Sequence, residues 1–151
     1  MALLGFPLIH NLSIQRQGVC ELLDRIAQIE LCSEEGRVLL ASLQVRALFH
    51  LRVEDDLLVA ILDAEAEEKP GIAAIMQQWV HPIRNCAEHA QAFFHHWLSL
   101  EGPIEAIDLQ REWEALKRLL ERRIEHSERL LYPAFKALSG ERRRKSRAVI
   151  P

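Results

Sequence analysis

Apolar residues recur along this chain at steps of three and four rather than two, in four segments separated by short polar punctuation. The spacing predicts a first helix from Leu12 to Leu31, with Val19, Leu22, Leu23, Ile26 and Ile29 on one side. Ser33 caps a second helix, with Glu34 and Glu35 suited to the positive end of its dipole, and this helix reaches Ala64 before "EAEEKPG" closes it. Pro70 opens a third, which runs toward Leu100 with a kink at His81-Pro82. After the turn "LEGPIEAID" a fourth runs from Leu109 to Leu138 and ends at Ser139-Gly140. The pattern predicts an all-α fold: an up-down-up-down four-helix bundle over residues 1 to 140, followed by a basic C-terminal tail over residues 141 to 151.

Walking each helix by threes and fours gives the faces expected to point inward. On the second helix the stripe is Leu39, Leu43, Ala47, His50, Glu54, Leu57 and Ile61. On the third it is Trp79, Cys86, His89, Phe93 and Leu100, and on the fourth Leu109, Trp113, Leu116, Leu120, Arg123, Ser127, Leu130 and Ala134. Polar groups interrupt the second and fourth stripes at mid-helix. An unpaired carboxylate inside an apolar bundle is costly, so Glu54 requires a cation or a basic side chain beside it.

Composition narrows the setting. With 151 residues and 49% hydrophobic content the chain suits one domain with a genuine core. No run approaches the roughly 20 apolar residues of a membrane span, and "MALLGFPLI" lacks a basic n-region and a small-residue cleavage site, so a cytoplasmic protein with no membrane partner is expected. The last eleven residues hold five basic side chains against Glu141, a net +4, which leaves −7 on residues 1 to 140 of a chain at −3. An acidic body repels nucleic acid, and the tail reads as a frayed, solvated end. "DAEAEEK", residues 63 to 69, reads as a solvated helix end.

Cys20, Cys32 and Cys86 show no C-x-x-C spacing and read as buried small apolar side chains rather than a disulfide or thiolate zinc set. No H-E-x-x-H, Walker, G-x-G-x-x-G or E-x-x-H pattern occurs, and no nucleophile has an activating neighbour, so no catalytic role is expected. Trp79, Trp97 and Trp113 read as core and seam packing, and His95 and His96 as satisfied or exposed histidines.

His50 and Glu54, one turn apart on one face, can both reach a single cation, and an imidazole nitrogen with a carboxylate oxygen suits iron, zinc or manganese. In "HLRVEDDLLVA" Asp55 follows them, "AEHAQAFFHHWL" carries His89, and "EHSERLLYPAF" carries His126 and Glu128. These stretches resemble the hemerythrin-like, or HHE cation-binding, domains, over nearly the whole chain. The resemblance implies a non-haem iron centre in the core of a four-helix bundle, used to bind oxygen, handle nitric oxide or sense iron. It implies metal ligands at His50, Glu54 and His89, with His126, Glu128 and His10 as irregular additions, and a metal ion or small gaseous ligand as the partner.

The two halves align as an internal repeat, with "EDDLLVAIL" on "SERLLYPAF". This places His50 on Arg123, Glu54 on Ser127 and Asp55 on Glu128, so the second H-x-x-x-E of the family is absent. His126 falls beyond the ligand position. The step from His89 to Arg123, taken back from His50, lands on Arg16 beside Gln17, where the family has His. His10 lies further toward the N-terminus. A second reading follows from these departures: a metal-free regulatory bundle that docks to a protein partner. In that reading Arg123 reaches into the core and pairs with Glu54, with His50 and His89 hydrogen-bonded around the pair.

Overall fold

The computed structural model of the protein describes residues 2–101 and 104–149, and among these no strand occurs. Gly102 and Pro103 of the expected third turn, and Ile150 and Pro151 of the tail, lie outside the described residues. The described residues form four helical rods. The first is α1 (Ala2–Ile26). The second joins α2 (Glu34–Val53) through a π-helical turn (Glu54–Val59) to α3 (Ala60–Ala66). The third starts with α4 (Pro70–Ile75), passes through a π-turn (Met76–Val80) and a 3-10 turn (His81–Ile83), and ends with α5 (Cys86–Ser99). The fourth joins α6 (Ala106–His126) through a π-turn (Ser127–Leu131) to α7 (Tyr132–Val149).

Several ends follow from local chemistry. Ser33 caps α2 as expected, its Oγ accepting from the Gly36 amide at 2.9 Å. Gly36 itself backs onto the preceding turn so closely that a Cβ there would collide with the Leu31 and Glu30 carbonyl oxygens. α1 ends at Ile26 rather than at Leu31, and past that end the amides of Gln28 and Ile29 turn back to the carbonyls of Arg25 and Ile26, three residues earlier. At the other end α1 begins ten residues earlier than the periodicity suggested, at Ala2. Pro7, the sixth residue of this helix, lies just past the four amides that have no intrahelical partner and removes one helical hydrogen bond near its N-terminal end. The kink at His81-Pro82 appears as the 3-10 turn.

The fourth rod does not stop at Gly140. A single helical glycine costs only about 1 kcal/mol relative to alanine, and ion pairs between Arg142 and Glu65 and between Lys69 and Glu141 tie the continuation to the end of the second rod. Residues 141–149 are therefore part of α7 rather than a frayed tail. The acidic stretch from 63 to 69 is likewise engaged: Asp63 pairs with His81 and Arg84, and Glu65 with Arg142 and Lys69.

α1 packs on α2 and α7, α2 on α5, and α5 on α6. Two apolar clusters fill the space between rods. One gathers Val19 to Ile26, Leu39 to Leu51, Cys86 to Trp97 and Leu109 to Leu120, and the other gathers Ile9, Leu12, Leu58, Leu62, Met76, Leu131 and Phe135. Every rod contributes to both. The buried polar residues Glu54, Arg123 and Ser127 lie between them in sequence on the second and fourth rods, and His50 lies at the end of the first cluster's span. No helix among the described residues is long and apolar enough to cross a membrane.

The π-turns explain where the inward stripes depart from expectation. In each, an amide bonds five residues back instead of four, as Ala60 does to Asp55 and Tyr132 to Ser127, so one residue is added to the turn and the apolar face shifts by one. Leu58 and Leu62 are buried in place of Leu57 and Ile61, and Leu131 and Phe135 in place of Leu130 and Ala134. On the third rod the π- and 3-10 turns break the phase between Trp79 and Cys86. Trp79 is 40% exposed, and Ala90, Phe94 and Trp97 take the inward positions beside Cys86 and Phe93. Cys86 and the tryptophans Trp97 and Trp113 are core residues as expected, but Cys20 is half-buried and Cys32 exposed.

Candidate functional site: a buried polar layer

The carboxylate of Glu54, fully withdrawn from solvent, is the centre of the layer. Its Oε1 accepts from Arg123 Nε at 2.7 Å and from Ser127 Oγ at 2.5 Å, and its Oε2 accepts from the Tyr132 hydroxyl at 2.8 Å. His50 Nε2 stands 3.4 Å from the same Oε2. Arg123 carries a second bond, from Nη2 to Asp55 Oδ1 at 2.5 Å. The guanidinium thus spans two neighbouring carboxylates, and hydrogen bonds to charged groups of this kind are shorter and stronger than neutral ones. His50 is held from its other side by Gln15 of α1, with Nδ1 3.1 Å from the amide oxygen. Arg16, next along α1, pairs with Glu128.

Burial dominates the protonation behaviour of the layer. It lowers the His50 pKa below 6.5, against the opposing pull of Glu54 and with help from Arg123 and Arg16, so the ring favours the neutral form. It raises Asp55 above its usual range, and the Arg123 guanidinium only partly counters this. Burial would lower Arg123, but the Glu54 and Asp55 carboxylates more than reverse it and hold the side chain charged. Tyr132 is raised by burial and by the Glu54 carboxylate, which keeps its proton available to donate. The Cys86 thiol, also deeply buried, is pushed up to about 12 and is inert as a nucleophile.

The side chains expected to act together separate into two groups. Glu54 meets Arg123, as the pairing expectation required, and His50 stands beside the same carboxylate. His89 does not join them: it is exposed on α5, and Ala90 occupies the inward position it was expected to hold. His10 is exposed on α1. His126 packs edge-on against Trp79, with ring centroids 5.4 Å apart, and Glu128 is taken by Arg16. His95 and His96 are exposed. Tyr132, Gln15 and the pairing role of Arg16 were missed from the sequence. For Tyr132 the signal was present, since it is the single tyrosine of the chain and a buried tyrosine hydroxyl needs a partner.

Iron, which the hemerythrin resemblance implies, does not fit the donors around Glu54. Both carboxylate oxygens are already bonded, and a permanently charged guanidinium lies where a cation would. Among the described residues no group of three or more His, Cys, Asp and Glu side chains is arranged to hold a metal ion. No family model, curated protein or solved structure matches the chain.

The internal repeat extends to the backbone. Glu54 and Ser127, separated by 73 residues, each begin a π-turn, and the first hydroxyl or carboxylate of each turn faces the other across 2.5 Å. π-turns of this kind commonly mark functional positions, because the extra residue re-aims a side chain into the interior.

Proposed function

We propose that this chain is an up-down-up-down bundle of hemerythrin-like form in which the Arg123 guanidinium serves as a built-in cation, and that it acts as a regulatory protein-interaction module. The observation that carries this reading is the bond from Arg123 Nε to Glu54 Oε1 at 2.7 Å together with that from Nη2 to Asp55 Oδ1 at 2.5 Å. The two carboxylates that a bundle-core metal would recruit are instead both paired with one side chain of the fourth rod. Such a core gains a fixed register between the second and fourth rods and keeps its fold without a loaded ion. In the competing reading, a non-haem iron centre built on His50 and Glu54 binds oxygen or nitric oxide. It would require Arg123, Ser127 and Tyr132 all to release Glu54.

Elemental analysis of the protein from iron-supplemented cells, with optical spectra before and after exposure to air, separates the two. Substoichiometric metal and a featureless visible spectrum are expected. A stoichiometric metal lost on His50→Ala would overturn the proposal.

A further inference from the structure

α2 carries apolar side chains on two faces. One face enters the core through Leu39, Leu43, Ala47 and Leu51. The other presents Val38 (60% exposed), Val45 (70%) and Phe49 (59%). Half-buried Ser42 is the one polar residue in that row, which steps by four, three and four from Val38 to Phe49. That is the spacing of a helix seam rather than of scattered surface residues. Ile14, 55% exposed, is on α1, whose Gln15 bonds His50 just past Phe49.

The row is also self-complementary. Reversing α2 about its midpoint, between Leu43 and Gln44, sets Val38 opposite Phe49 and Ser42 opposite Val45. A small side chain at position 42 leaves room for the valine, so the two backbones can approach closely at the centre. The same reversal sets Glu35 opposite Arg52, with Glu34 one residue further out. All three charged side chains are exposed, and none has an ion-pair partner among the described residues. Arg52 meets the neutral Gln91 amide oxygen at 3.1 Å. A parallel pairing would instead face acid with acid and arginine with arginine.

We propose that the outer face of α2 is the interface of a two-fold symmetric dimer, in which the α2 helices of two copies of this chain pack antiparallel. A two-fold interface uses the same patch on both partners, and the reversal of apolar, small and charged positions meets that requirement. The seam is short, about 16 Å from Val38 to Phe49 at 1.5 Å per residue, so the interface is small and its association is expected to depend on concentration. The inference goes beyond the reading of the core and uses no residue of the polar layer. Finding metal at Glu54 would leave it intact, and a monomer would leave the core reading intact.

Sedimentation velocity of the full-length chain across a concentration series tests it. A monomer–dimer equilibrium is expected, abolished by Phe49→Glu and by Val45→Asp with the unfolding midpoint unchanged. Arg52→Glu alone, and Glu34→Arg with Glu35→Arg, should each weaken the dimer at least several-fold, and all three changes together should restore it. A chain that stays monomeric at every concentration would overturn the proposal, as would a dimer indifferent to Phe49→Glu. Failure of the triple variant to recover association would overturn the antiparallel arrangement.

Discussion

Arg123 Nε lies 2.7 Å from Glu54 Oε1, and the two side chains are 2% and 0% exposed. Removing either leaves the other charged and dry. Arg123→Ala should therefore destabilise the protein by about 3–5 kcal/mol, the usual consequence of orphaning a buried charge. Arg123→Ala combined with Glu54→Gln should cost less than the sum of the two single changes, because no uncompensated carboxylate remains at position 54. Urea unfolding of the four proteins gives the coupling directly, and additive losses would show that the pair is not a unit.

Tyr132 and Ser127 each donate one hydrogen bond to the same carboxylate, on opposite oxygens. Tyr132→Phe keeps the packing of the ring in the apolar cluster and deletes only the donor. A loss of about 1.5–3 kcal/mol is expected, in the range for hydrogen bonds to charged groups, and Ser127→Ala should behave alike. A neutral Tyr132→Phe would mean that Glu54 Oε2 is satisfied by His50 alone.

His50 gives the layer a pH dependence of defined sign. Its pKa is lowered in the folded state by burial, so between the folded value and 6.5 the unfolded chain binds more protons. The contribution is fully present above about pH 6.5 and is lost as the pH falls through the folded value. Asp55, raised by burial, acts with the opposite sign: its contribution is present below 3.8 and is lost as the pH rises through its folded value. Thermal melts should fall from pH 7 toward pH 5 in the wild type and fall less in His50→Gln. Equal slopes would remove His50 as the cause.

The last turns of α7 are tied to the second rod by Arg142 and Glu141. A partly exposed pair such as Arg142–Glu65 is worth at most about 1 kcal/mol, which for a chain of this size corresponds to roughly 2–4 °C. Deleting residues 141 to 151 should lower the melting temperature by that amount, and the effect should shrink in high salt. An unchanged midpoint at low salt would show that these contacts do not form in solution.

The periodicity of apolar residues was enough to place four helical rods, the Ser33 cap and the kink at His81, because these depend on local spacing and local chemistry. It was also enough to put His50, Glu54, Arg123 and Ser127 inside, and the internal repeat, which sets Arg123 on His50, offered that guanidinium as the partner of Glu54 in one of the two readings. Three things were decided only by the tertiary structure. The π-turns at Glu54 and Ser127 added a residue to each rod and moved the buried face to Leu58 and Leu131, a shift that a fixed step of 3.6 residues cannot anticipate. His89 was left outside because the turns at Met76–Val80 and His81–Ile83 reset the phase of α5. Residues 141–149 stayed helical because Glu65 and Lys69, distant in sequence, lie beside them, and no local rule at Gly140 carries that information.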